Sequence, residues 1–260
     1  MNLYQQFKDE GYIHLKNFFS LDEINALVLE IQNTSLENPS KDILNLGKLT
    51  FNSLIMHKSQ KLREFIAQPR IIELMSKLMG PNIWIRWDQA VEKGPGAGWF
   101  PWHQDNSYSQ LKDPHYQLWI SLTEMTQDNG GLWILPKSHH QNNKHEKEGH
   151  HTVYKGDTSK QEFIEAEIGD VVVFSSFTLH ATTPNVTQKS RWAYVVEYMQ
   201  TKHIDPYIEG PYLVVAKNSK PHIKYVDKIG NDYSLHNLVK YPDIKRRFGH
   251  LKANIKRVIT

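Results

Sequence analysis

The sequence predicts a mainly β fold with flanking α-helices, in which a helical N-terminal layer packs on a jelly roll. Three observations carry this expectation. Apolar residues recur at helical spacing only in roughly the first eighty positions, and from Asn82 onward they alternate with period two. The alternating segments are short, and turn residues rather than crossover helices separate them. The length of 260 residues, 39% hydrophobic and 23% charged, suits one domain with a sizeable core. The expected division is a helical layer over about 1–80, a jelly-roll core over about 81–200 and a C-terminal extension over about 201–260.

The first helix opens at Ser20-Leu21-Asp22-Glu23, a capping box in which the Ser hydroxyl and the Glu carboxylate each satisfy an orphan amide. Ile24, Leu27, Val28 and Ile31 follow at helical spacing and define its buried face. A second helix starts near Pro69, turns Ile72, Met75, Leu78 and Met79 inward, and ends at Gly80-Pro81. Ile83, Ile85 and Trp87 then alternate with Trp84, Arg86 and Asp88, and Leu118, Ile120 and Leu122 with Trp119, Ser121 and Thr123, as in half-buried strands. Leu132 to Leu135, Val171 to Phe174 and Trp192 to Tyr198 add strands, separated by Asp128-Asn129-Gly130-Gly131, Gly169-Asp170 and Pro184-Asn185. Short strands joined by such turns favour an antiparallel sandwich over a parallel sheet. The polar stretch from His139 to His151, with five histidines, reads as a loop over a site mouth.

Composition excludes several functions. Without cysteine there are no disulfides, thiolate metal sites or Cys nucleophile. Polar residues interrupt Met1 to Asn17, unlike a signal peptide, and no run approaches the roughly 18 apolar residues of a membrane span. A cytoplasmic protein without a membrane partner is expected. Net charge is +3, yet Lys217 to Thr260 holds eleven Lys and Arg against three Asp. That bias favours a small anionic substrate. The charge also fits a solvated helical face, and no recognition module for nucleic acid accompanies it. No feature specifies an oligomeric state.

The chemistry concentrates at His103-Gln104-Asp105, with His180 at a distance and Arg191 eleven residues beyond it. Two histidines and a carboxylate form the ligand set that leaves open positions on non-haem Fe(II). A His-x-Asp alone is weak, because His203-Ile204-Asp205 repeats it and His236 to Arg247 repeats the His-to-Arg spacing. Context separates the copies. The first pair follows strand-like sequence, and its distant histidine follows Val171-Val172-Val173-Phe174, whereas Pro206 follows the second. In a strand, residues i and i+2 point to one side, so His103 and Asp105 would reach one metal together. Three open positions admit a bidentate 2-oxo acid and O2, and Arg191, with Thr182 beside it, would take the acid's other carboxylate.

At these residues the chain resembles the phytanoyl-CoA dioxygenase family of Fe(II)- and 2-oxoglutarate-dependent oxygenases. The resemblance runs from Phe7-Lys8-Asp9-Glu10-Gly11-Tyr12 to about Met199, through Pro101-Trp102-His103-Gln104-Asp105, Trp119-Ile120-Ser121-Leu122, Asp128-Asn129-Gly130-Gly131-Leu132, Pro136-Lys137-Ser138-His139, Gly169-Asp170 and Leu179-His180 to Arg191. It implies a double-stranded β-helix with iron held by His103, Asp105 and His180. It implies 2-oxoglutarate and O2 as co-substrates, the former held by Arg191 with Thr182, Trp119 and Gln89 as neighbours. Lys137 stands where the family's turn carries glycine, a position that needs a positive φ. The carboxylate at Asp105 favours hydroxylation of a C–H bond over halogenation, with release of succinate and CO2. Trp102, Asn106, Tyr108 and the His139 to His151 segment are candidates for the substrate wall, Trp102 being also a candidate for core packing. Two rival readings use the same residues: a zinc hydrolase with the same three ligands, and a jelly-roll protein that binds a small ligand or metal without turnover.

Overall fold

The computed structural model describes residues 2–37, 43–46, 48–141 and 143–230. Helices α1 (Leu3–Glu10), α2 (Leu21–Glu37), α3 (Gln60–Ile66) and α4 (Pro69–Met79) precede most of the strands. The capping box forms as expected: the Ser20 amide donates to Glu23 Oε2 at 2.9 Å, and the Glu23 amide donates to Ser20 Oγ at 3.3 Å. Ile24, Leu27 and Ile31 are buried, as are Ile72, Met75, Leu78 and Met79 of α4.

The N-terminal region is not purely helical. Strands β1 (Tyr12–Leu15), β2 (Ile43–Leu46) and β3 (Leu49–Ser53) lie within it, and β1 and β3 join the main sheet. They are too short for their alternation to emerge from the sequence. The remaining strands are β4 (Ile83–Lys93), β5 (Phe100–His103), β6 (Tyr116–Ser121), β7 (Leu132–Ile134), β8 (His145–Glu148), β9 (His151–Tyr154), β10 (Glu162–Ile164), β11 (Val171–Ser175), β12 (His180–Thr182), β13 (Arg191–Gln200), β14 (Tyr212–Lys217) and β15 (Lys220–Val226). Helix α5 (Asn106–Ser109) follows β5. The large sheet runs β1-β11-β6-β13-β4-β14-β15, with β3 pairing the other half of β4, and the small sheet runs β10-β7-β12-β5. Every recorded pairing is antiparallel, which matches the sandwich expected from the turns.

One face of the large sheet packs on the helices through Leu118, Ile120, Val171, Val173 and Tyr194, and the other meets the small sheet through Trp119, Val172, Phe174 and Val195. In β4 the expected alternation breaks. Glu197 lies opposite Trp87 while Tyr198 lies opposite Ile85, so Arg86 is the extra residue of a β-bulge. Ile83 and Ile85 face the helices, but Trp87, Gln89 and Val91 line the space between the sheets. Trp87 therefore does not share a face with Ile83 and Ile85, because a bulge shifts the period by one residue.

Two further expectations are corrected. The His139 to His151 stretch is largely not a loop: β8 and β9 form a hairpin turning at Gly149, whose φ is 58°. Val153 is its single buried hydrophobic residue among those described, which left no apolar pattern to read. The sheet also continues past residue 200 through β14 and β15, so Lys217, Lys220 and Lys224 lie on strands rather than on a helical face. The rest of the basic segment, including His236 and Arg247, lies outside the described residues. Lys137 adopts φ 65°, the left-handed conformation anticipated for its turn. Among the described residues, no helix is long and apolar enough to cross a membrane.

Candidate metal centre and its cavity

His180 lies directly opposite His103 where β12 pairs with β5, and the two rings are 4.1 Å apart. Asp105 reaches them by a different route from strand alternation. Strand β5 ends at His103, and Asp105, at φ −58° and ψ −36°, already has helical backbone at the entrance to α5. The turn from strand into helix brings its carboxylate back toward the rings. Its Oδ1 is 3.5 Å from His103 Nε2 and 3.7 Å from His180 Nε2, and one donor atom from each residue lies within 4.8 Å of the others.

Backbone carbonyls set the tautomer of both rings. His103 Nδ1 lies 2.8 Å from Pro101 O, and His180 Nδ1 lies 3.0 Å from Thr178 O. A carbonyl only accepts, so each Nδ1 carries a proton and Nε2 is the nitrogen that can present a lone pair to an ion. Burial, with His103 alongside, pulls the His180 pKa down to about 4. Burial alone would raise Asp105, but His180 and His103 beside it hold it well below the usual carboxylate range. Two imidazole Nε2 atoms and one carboxylate converging on one point fit a divalent ion with open positions.

The site opens into a cavity of about 460 Å³ between the sheets. At one end Arg191, the first residue of β13, is 1% exposed and lies 5.4 Å from the Trp119 ring. Its Nη2 donates to Gly130 O at 3.0 Å, while Nε and Nη1 have no hydrogen-bond partner among the described residues. Opposite it in the register, Lys93 is wholly buried and donates through Nζ to Thr182 Oγ1 at 2.8 Å and Thr182 O at 3.2 Å. Burial, with Arg191 nearby, pulls the Lys93 pKa down to about 7, and burial lowers Arg191 to about 10. Among the described residues neither cation forms an ion pair with a carboxylate, an arrangement that isolated buried charges tolerate poorly. It suits an incoming carboxylate.

The four residues predicted for the co-substrate, Arg191, Thr182, Trp119 and Gln89, all line this cavity. Sequence reasoning missed Lys93. The available signal was its place two residues beyond Val91, on the face that also carries Gln89. Of the predicted wall residues, Tyr108 lines the cavity and Trp102 and Asn106 do not. Asn106 instead bonds the backbone of Leu111 through both ends of its amide. His150 and His151 of the hairpin line the mouth, whereas His139, His140 and His145 face a separate polar cavity. The Gln104 amide donates to His145 Nε2 at 3.2 Å, which ties the hairpin to the metal segment. The repeated His203-Ile204-Asp205 is structural: His203 pairs with Asp113 at 3.0 Å, and Asp205 with Arg86 at 2.6 Å.

A family model for phytanoyl-CoA dioxygenase matches residues 7–193. A methylphosphonate hydroxylase of Gimesia maris is 28% identical over 138 residues, a match that spans 53% of this chain and 53% of that protein. A 2-aminoethylphosphonate dioxygenase of an uncultured bacterium is 26% identical over 74% of this chain and 79% of its own. An ectoine dioxygenase of Bordetella bronchiseptica is 23% identical over 70% of each chain. Among solved structures, the non-haem monooxygenase ThoJ superposes with a TM-score of 0.72 at 18% identity, covering 98% of this chain and 100% of that one. The epimerase SnoN, crystallised with Fe3+, α-ketoglutarate and nogalamycin RO, superposes with a TM-score of 0.67 at 14% identity, covering 88% of this chain and 95% of that one.

Proposed function

The chain belongs to the phytanoyl-CoA dioxygenase family, and from that premise we propose that it is an Fe(II)- and 2-oxoglutarate-dependent dioxygenase that hydroxylates a C–H bond of a small molecule. In this reading His103, Asp105 and His180 would hold the iron, and Arg191 would hold the far carboxylate of 2-oxoglutarate. When bound, the iron supplies activation of O2 coupled to oxidative decarboxylation of 2-oxoglutarate to succinate and CO2. The single observation that carries the proposal is Arg191, a buried guanidinium with no carboxylate partner among the described residues, lining one cavity with the three convergent donors, with Lys93 buried opposite it in the register.

The chain's own residues divide the remaining work. Arg191 offers an open charged donor, Nε on one side of the guanidinium or Nη1 on the other, to the outer carboxylate of the co-substrate, while Gly130 O holds Nη2. Lys93, buried behind the cavity-lining Thr182 and bonded to its hydroxyl, adds positive potential at that end. Trp119 and Val195 wall the co-substrate end, while Phe51, Trp87, Phe100 and Tyr108 supply apolar surface that excludes water from the metal. A substrate of metabolite size fits the space left in a cavity of about 460 Å³. Both fixed cations lie at the co-substrate end, so an anionic group on the substrate would meet His150 and His151 at the mouth.

A zinc hydrolase would use the same three ligands but would leave Arg191 and Lys93 without an anion. A non-catalytic binding protein would have no use for a two-cation subsite beside a metal. The test is succinate formation in the presence of phosphonate, carboxylate and cyclic amino acid pools. The proposal requires succinate only when Fe(II), O2 and 2-oxoglutarate are all present. Metal-dependent hydrolysis without 2-oxoglutarate would replace it with the hydrolase reading.

A further inference from the structure

We propose that Gln117 is a positioning residue for the metal centre, fixing the Asp105 carboxylate by linking it to a buried ion cluster built on the Arg86 bulge. The inference rests on the metal-ligand reading of Asp105 above and goes beyond it. Asp105 lies past the end of β5, where its backbone is held by the Tyr108 amide and by the Asn106 amide on Ser176 O, so the direction of its carboxylate is left to side-chain contacts.

The contact divides the carboxylate in two. Gln117 Nε2 donates to Asp105 Oδ2 at 2.9 Å, and Oδ1 is the oxygen 3.5 Å and 3.7 Å from the two histidine Nε2 atoms. One oxygen is thus engaged by the amide and the other is left for an ion. Gln117 is 1% exposed and lies on β6 opposite Glu197 of β13, whose carboxylate its side chain also bonds. Between two carboxylates only the donating end of an amide is tolerated, so the orientation is dictated by charge. The acceptor end, Oε1, has no hydrogen-bond partner among the described residues.

Behind Glu197 stands the residue that creates the bulge. Arg86 pairs through Nη1 with Glu197 and through Nε with Asp205 at 2.7 Å, and its Nη2 donates to Ser109 Oγ at 2.8 Å. Ser109 is the last residue of α5, the helix that opens at Asp105. The guanidinium therefore holds both the far end of that helix and, through Glu197 and Gln117, the carboxylate at its start. Without the bulge, Arg86 would be displaced from the register that joins Glu197 to Asp205. A buried guanidinium, two carboxylates and an amide are a costly filling where apolar side chains would pack. Their shared output is one fixed carboxylate at the metal site.

The test is Co(II) binding by the full chain without O2 or 2-oxoglutarate, measured by titration calorimetry and by the visible absorption of the bound ion. Gln117→Met keeps the volume and removes the donor. It should weaken Co(II) binding about 10- to 100-fold and change the Co(II) spectrum, as loss of outer hydrogen bonds to metal ligands does. Glu197→Gln, which removes the charge that holds the amide, should weaken binding several-fold and keeps the test open if the first variant fails to fold. His103→Ala and Asp105→Ala check the metal-site reading separately, and wild-type Co(II) binding in both would remove that reading. If both abolish binding while Gln117→Met and Glu197→Gln match wild type within twofold with unchanged spectra, the positioning role is overturned.

Discussion

Replacing Lys93 with methionine should make the protein more stable and a worse binder of 2-oxoglutarate. Lys93 is wholly buried, and burial together with Arg191 lowers its pKa from 10.5 to about 7. The unfolded chain therefore binds more protons than the folded one between about pH 7 and 10.5, so stability rises with pH across that window. At pH 7 the depression corresponds to a cost of about 4 kcal/mol, taking about 1.4 kcal/mol per pKa unit. Methionine removes that cost but leaves Thr182 O and Oγ1 without their donor, which costs about 1–3 kcal/mol. The balance is a gain of about 1–3 kcal/mol, or several degrees in Tm for a chain of this size. The gain should be largest at or below neutral pH and should shrink toward pH 10. In the same variant, loss of the positive charge behind Thr182 and opposite Arg191 should weaken 2-oxoglutarate binding several-fold. Thermal melts from pH 6 to 10 and calorimetric titration with 2-oxoglutarate check both arms. A lower Tm at pH 7 together with unchanged 2-oxoglutarate affinity would refute the reasoning.

Three further outcomes follow from the same geometry. Arg191→Ala should weaken 2-oxoglutarate binding by at least tenfold and leave Co(II) affinity within twofold, because the guanidinium contacts the co-substrate end alone; parallel titrations of the two ligands check this. Gly130→Ala should lower both Tm and 2-oxoglutarate affinity: Gly130 has φ 84°, an added Cβ would lie 2.5 Å from Lys93 Cδ and 2.9 Å from Thr183 O, and the Gly130 carbonyl holds Arg191. His180 is held neutral to about pH 4 against 6.5 in the unfolded chain, so metal-free wild type should lose stability as pH falls from about 6.5 toward 4. His180→Gln should flatten that part of the profile in thermal melts.

Much of the site was legible because its parts are separated by spacing the chain displays. His180 and Arg191 flank the turn from β12 to β13, and alternation on β6 separated Leu118 and Ile120 from Trp119, although it read the strand as half-buried whereas Gln117, Trp119 and Ser121 are buried as well. The His103 and Asp105 pairing was found for an incorrect mechanical reason. Strand alternation does not join them; the entrance to α5 does, and a four-residue helix leaves no periodic signal. The Arg86 bulge was equally silent, because a one-residue register shift is visible only once β13 is paired with β4. It misplaced Trp87 and concealed that Asp205 of the repeated motif anchors Arg86. Lys93 escaped because a lysine in a strand ordinarily reads as a solvated edge. Its burial depends on Thr182 and Arg191 arriving from 89 and 98 residues further along the chain.

The central claim is that one cavity holds iron and 2-oxoglutarate together. Its most direct test is anaerobic addition of 2-oxoglutarate to the Fe(II)-loaded protein, followed in the visible. A new absorption band should appear at saturating 2-oxoglutarate, be absent in Asp105→Ala, and require a higher 2-oxoglutarate concentration in Arg191→Ala. No band in wild type at saturating Fe(II) and 2-oxoglutarate would contradict the claim.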